Sequence, residues 1–178
     1  VGRGDLSLAG GKAAGLGEMA RAGLPVPPGF VVLTPAYRAF VEKWGLQARV
    51  EELARRASDP SSAEAASEKI RRLFEACDVP EEICGEIAAA YEALGRGRVA
   101  VRSSATAEDL SEASFAGQHE TYLAVDGAES LVAAVRRCWS SLWTARALAY
   151  RSTRGLAPSD VALAVVVQRL VEADAAGV

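Results

Sequence analysis

Histidine is nearly absent from this chain: His119 stands alone among 178 residues, beside three widely spaced cysteines, Cys77, Cys84 and Cys138. That supply offers no His/Cys constellation for zinc. An odd cysteine count without tight spacing is no disulfide framework either, and it suits the reduced thiols of a cytoplasmic protein. Long apolar runs are missing too. The longest, Val161 to Val167, has the length of a strand, far short of the roughly 20 residues that span a bilayer, and no signal-peptide pattern is visible. The expectation is a protein with no membrane partner. Neither sign of charge dominates: 20 Lys and Arg against 23 Asp and Glu leave a formal charge of −3, which gives no electrostatic footprint for nucleic acid. Any anion site must therefore rest on local charge. An initiating methionine is lacking and the chain stops at Ala176-Gly177-Val178 without a turn or charged tail, as an excised piece of a longer protein would. There is no internal repeat and no low-complexity linker.

What is present is a chain half of whose residues are apolar, enough for a sizeable core. Two segments carry chemistry. Val99 to Leu123 runs from a buried-looking strand ending near Arg102 into a loop that bears Ser103, Ser104, Thr106, Ser114, Gly117, Gln118 and Thr121. A cation fixed on a strand, hydroxyl and amide donors, and a glycine that lets backbone N–H groups approach are what a polyanion site needs. Near the start, Gly10-Gly11-Lys12 precedes an alanine-rich amphipathic helix that should end near Gly23. The glycines remove bulk where a ligand could approach, the helix N-terminus offers unpaired N–H groups, and the lysine adds a point charge. This is not a Walker A loop, which needs glycine where Leu6 stands and Ser or Thr where Ala13 stands. Gly15-Leu16-Gly17-Glu18-Met19-Ala20 matches the letters of a dinucleotide fingerprint but falls inside the helix, where the fingerprint has no function.

The remaining pattern is mixed. The helix from about Lys12 to Ala22 leads through the Pro25–Gly29 turn to a strand at Phe30–Leu33, and Thr34-Pro35 should cap and begin the next helix. From there to Leu94 apolar residues recur at helical steps, with a break at Asp59-Pro60-Ser61-Ser62. Val99–Ser103 and Thr121–Val125 read as strands. A single long helix is expected from Asp126-Gly127 to about Arg154, then a final strand over Val161–Val171 whose apolar centre suits the middle of a sheet.

In order along the chain, GGKAAGL, GLPVPPGFVV, VAVRSSATAEDL, SFAGQHETYL, CWSSLWTARALAYR and VVVQRLV resemble the N-terminal ATP-binding region of one enzyme family. Its members are phosphoenolpyruvate synthase, pyruvate phosphate dikinase and rifampin phosphotransferase. The resemblance covers nearly the whole chain; between about Gly45 and Gly97 only the helical character matches. It implies a mixed α/β (α+β) fold, the first portion of an ATP-grasp-type domain, with a largely antiparallel sheet and a helical insertion over residues 35–97. Residues 1–178 would form a partial ATP-binding domain. It further implies ATP as ligand, with Lys12 and Arg102 stabilising the phosphates, Gly117 and Thr121 covering them, and Gln168 contacting the nucleotide. Mg²⁺ would be held by residues beyond 178, and no metal ligand or nucleophile is assigned here. The phosphoryl-carrying histidine would sit in a separate domain of the same full-length chain. His119 is not that residue, since its position is commonly glutamine in relatives.

Plainer readings stand beside these. Lys12 has the chemistry of a solvated first-turn lysine, Arg102 that of an ion-pair partner for Glu108 or Asp109, Gly117 that of a hairpin bend, and Gln168 that of a satisfied core amide. For the whole protein the alternatives are a pyruvate-phosphorylating enzyme, a rifampin phosphotransferase, and a nucleotide-binding module without chemistry. A module that had lost its chemistry would have no reason to keep both cations.

Overall fold

The longest apolar run of the chain lies at the heart of its sheet. In the computed structural model, residues 1–57, 59–106, 121–154 and 161–174 are described, with the backbone alone for 150–154. A 3-10 turn at Arg3–Asp5 leads into α1 (Leu6–Arg21), then β1 (Gly29–Val32), four helices, α2 (Thr34–Lys43), α3 (Leu46–Arg55), α4 (Pro60–Glu75) and α5 (Glu81–Ala93), and β2 (Val99–Ala105). β3 (Thr121–Val125), α6 (Ala128–Ser141), α7 (Ala145–Arg154) and β4 (Leu163–Arg169) follow. The strand order is β1-β4-β2-β3 and every pairing is antiparallel. This is the mixed α+β fold with an antiparallel sheet that the sequence implies.

β4 has six of its seven residues buried instead of an alternating pattern. The cause is that both faces of the sheet are covered. On one side Val99, Val101, Leu163, Val165 and Val167 join the helices in the main core. On the other, Val166 packs under Ala9 and Ala13 of α1. A strand covered twice has no solvent face on which to place polar residues, so its sequence reads as an unbroken apolar run.

The main core is organised by aromatic rings. Phe40 lies 5.5 Å from Phe74 and 5.2 Å from Trp139, and Tyr37 lies 6.2 Å from Trp139, centroid to centroid. α4 is started by Asp59, whose carboxylate accepts N–H bonds from Ser61 (2.9 Å) and Ser62 (3.1 Å), with Pro60 in the first turn. This is the break marked by the Asp-Pro-Ser-Ser sequence.

Four expectations need correction. The first helix begins at Leu6 rather than Lys12, and is interrupted at Gly10. Thr34 does not cap α2: its hydroxyl donates to the Ser7 carbonyl (3.0 Å), which ties α2 to α1. The long final helix is two, because the Thr144 hydroxyl accepts the Ala147 N–H (3.3 Å) and starts a new helix after Leu142. The last strand is shorter than expected, Leu163–Arg169. Among the described residues no helix is long and apolar enough to cross a membrane.

Tyr91, at the end of α5, holds the helical segment to the sheet. Its buried hydroxyl lies 2.8 Å from both the Gly97 carbonyl and an Asp126 carboxylate oxygen and accepts the Gly127 N–H (3.1 Å). Tyr91→Phe leaves these groups short of a partner and should destabilise by about 1–3 kcal/mol. The loss is expected as a lower urea midpoint with an unchanged slope; an unchanged midpoint would mean that water replaces the hydroxyl.

Candidate functional site

The glycine pair of α1 shapes the site from the protein side. Gly10 has φ 74° and ψ 167°, a region open essentially to glycine alone. It breaks the helix, so that a fresh N-terminal turn starts at Gly11-Lys12. A Cβ on Gly10 would lie 2.3 Å from the Ser104 carbonyl oxygen and 2.5 Å from its hydroxyl oxygen. The space freed by Gly10 is therefore filled by β2, and the expected ligand approach at this glycine is corrected. Ser104 occupies it with purpose: its fully buried hydroxyl donates to the Ala9 carbonyl (2.8 Å) and accepts the Ala13 N–H (3.1 Å), one group on each side of the break. Between them, Lys12 reaches the strand and its Nζ donates to the Ser103 carbonyl.

Sheet register places the other cation. Arg102 stands opposite Val166 on β4 and Thr121 on β3. Directly opposed residues share a face of the sheet, and Val166 faces α1; Arg102 and Thr121 therefore lie on the α1 face. Gln168, two residues along β4 from Val166, lies there as well. The fold thus brings Lys12, Arg102, Thr121 and Gln168 to one face, from α1 and three strands. Arg102 is half-buried and Thr121 exposed. Among the described residues the Arg102 guanidinium has no hydrogen-bonding or acidic partner. Gln168 is buried and its amide donates to the Pro27 carbonyl (3.3 Å). It also lines a cavity of about 250 Å³ with Ala13, Gly17, Pro27, Val31 and Val166, so it is a satisfied amide that also faces open space.

Gly117, Ser114, Gln118 and His119 lie outside the described residues, as do Glu108 and Asp109. Three hydroxyls assigned to ligand binding are turned elsewhere. Ser103 is fully buried and points to the main core, opposite Val165, with no partner among the described residues. Ser104 is used by α1, and Thr106 donates to the Ala162 carbonyl (3.3 Å). The part played by Ser104 and Gly10 was missed because it depends on contacts between residues more than ninety positions apart. The one available signal is strand alternation, which puts the two adjacent serines on opposite faces.

No nucleophile emerges from the thiols. Burial pushes the Cys77 and Cys84 thiols up, chiefly by desolvation, and keeps them protonated at neutral pH. Among the described residues no group of three or more His, Cys, Asp or Glu is placed to hold a metal. What this face offers is fixed positive charge, a hydroxyl and an amide beside an apolar cavity, which suits an anion joined to a flat apolar body.

Comparison with known proteins gives the family. The family described as pyruvate phosphate dikinase, AMP/ATP-binding domain, matches residues 6–178. The chain is 50% identical over 182 residues to a probable phosphoenolpyruvate synthase of Methanocaldococcus jannaschii, a match that covers 98% of this chain and 15% of that protein. It is 49% identical over 182 residues to the phosphoenolpyruvate synthase of Aeropyrum pernix, with 97% of this chain and 22% of the relative covered. Against the phosphoenolpyruvate synthase of Pyrococcus furiosus the identity is 44% over 214 residues, with 98% and 26% covered. The chain thus spans about a sixth to a quarter of the length of these relatives.

Proposed function

Because this chain belongs to the family of pyruvate phosphate dikinase AMP/ATP-binding domains, we propose that it is the ATP-binding first portion of a phosphoenolpyruvate synthase-like phosphotransferase. The whole enzyme would convert ATP, pyruvate and water into phosphoenolpyruvate, AMP and phosphate. The observation that carries this reading is the convergence of Lys12, Arg102 and Thr121 on one sheet face, beside the cavity that Gln168 lines.

In this scheme Lys12 and Arg102 neutralise charge on the phosphates. Thr121 donates its hydroxyl, the segment around Gly117 covers the phosphates from water, and Gln168 meets the nucleoside. Lys12 exchanges its hydrogen bond with the Ser103 carbonyl for one with a phosphate oxygen. The residues of this portion bind and orient, and none of them takes or gives a proton.

Mg²⁺ needs oxygen ligands, and the described residues of this face supply cations and an amide with no carboxylate cluster. As the resemblance implies, its ligands would lie beyond residue 178, in the second half of an ATP-grasp-type cleft of which residues 1–178 would form one wall and residues 35–97 a helical insertion. The phosphoryl carrier is a histidine of another domain of the same chain, and the setting is the cytoplasm. Relatives named phosphoenolpyruvate synthase favour pyruvate over a rifamycin as acceptor, and also over a module without chemistry.

The carrier assignment is testable in the full-length protein with β-labelled ATP. Acid-labile label is expected outside residues 1–178, and His119→Gln should retain a substantial fraction of activity. His119 is flanked by Glu120, a carboxylate that opposes gain of a dianionic group. Label recovered on a peptide containing His119 would make this portion the carrier and overturn the scheme.

A further inference from the structure

We propose that Ser104 is a positioning residue for Lys12: its hydroxyl fixes the two halves of α1 around Gly10 and so sets the distance between the Lys12 and Arg102 cations. The inference rests on the nucleotide reading of Lys12 given above.

Three observations lead to it. The Ser104 hydroxyl is fully buried and uses both its functions on α1, donating to Ala9 before the break and accepting from Ala13 after it. Lys12 lies between those two residues, so its Cα is held by a clamp on either side. The same strand carries Arg102 two residues earlier, in a ladder where Arg102, Ser103 and Ser104 are each paired with β4. The side chain of Lys12 has four rotatable methylenes and no geometric preference of its own. Its starting point must therefore be fixed by the backbone, and here the Ser104 hydroxyl ties the residues on either side of Lys12 to the strand of Arg102. Loss of the hydroxyl takes a partner from the Ala9 carbonyl and from the Ala13 N–H, on either side of Gly10, the residue type least able to hold its own conformation.

A purely structural serine would lower stability and leave the two cations independent of it. A positioning serine makes its effect on nucleotide binding depend on Lys12. The test is a double-mutant cycle in the full-length protein, read as ATP affinity by calorimetry. Ser104→Ala is expected to weaken ATP binding by roughly 5- to 20-fold, the scale of one or two lost hydrogen bonds. In a Lys12→Ala background the same change should cost less than about twofold, because there is no cation left to place. Ser141→Ala is the control, since it removes a buried hydroxyl of α6 that donates to the Cys138 carbonyl, away from α1 and β2; it should leave affinity unchanged.

Equal losses from Ser104→Ala with and without Lys12, or no loss at all, would overturn the positioning role. If instead Lys12→Ala and Arg102→Ala both bind ATP like the wild type, the nucleotide reading itself falls and the proposal with it, an outcome distinct from additivity. Should Ser104→Ala fail to fold, Ser104→Cys takes its place. The thiol is a weaker donor and acceptor, so the same dependence on Lys12 is expected at smaller size.

Discussion

Arg102→Ala in the full-length enzyme is expected to lower nucleotide affinity by about 10- to 150-fold, corresponding to the roughly 1.5–3 kcal/mol of a hydrogen bond to a charged group. The backbone of Arg102 is fixed on β2 between two paired strands, and its side chain is half-buried on the α1 face and without a partner among the described residues. Arg102→Lys should restore only part of the affinity, since an ammonium cannot present a planar fork to two oxygens. Titration of ATP against the wild type and both variants gives the answer. A folded Arg102→Ala protein with wild-type affinity would overturn the phosphate role of Arg102.

The second large effect is expected in stability. Phe74→Ala removes a fully buried ring that sits 5.5 Å from Phe40 and 6.3 Å from Tyr37, and should cost about 3–5 kcal/mol. A domain holds only about 5–15 kcal/mol in total, so the urea midpoint should fall steeply. Phe74 lies in the core on the helical side of the sheet, whereas Lys12 and Arg102 lie on the other. ATP affinity measured well below the midpoint should therefore stay within about twofold of wild type, because separated sites contribute independently. A cost below 1 kcal/mol would show that the helices close over the vacated space, and a large loss of affinity would show that the two faces are mechanically coupled.

The two faces also explain how much of the molecule is legible in the sequence. Thr121–Val125 reads as a strand from its own pattern, and Asp59-Pro60 announces a helix start, because each signal is local. The central place of β4 follows from its unbroken apolar run, which only a doubly covered strand can afford. What escapes is whatever depends on distant partners. Nothing near Thr144 says that its hydroxyl outcompetes the helix that Leu142 and Trp143 would continue. The serines of Val-Arg-Ser-Ser-Ala look alike as letters, yet one faces the main core and the other bonds α1, since neighbours on a strand point to opposite sides. Arg102 and Lys12 were both found by charge and spacing; that they share a face is a property of the register between β2 and β4 and of the packing of α1.

Of the four strands described, the central β4 is the last to be made. β4 stands between β1 and β2, and its register joins Gly29 to Gln168 and Arg102 to Val166. Until the ribosome has released residues 163–169, β1 has no neighbour, α1 has no Val166 to cover, and β2 has one open side. The helices α2 to α5 can form early, being local, while the sheet must wait for a long-range closure, the slow kind of folding event. During that interval β1 and β2 are exposed edges able to pair with other chains. The face that carries Lys12 and Arg102 thus comes into being only once residues 163–169 are made, when a single apolar strand enters between two others and brings both cations to the same side.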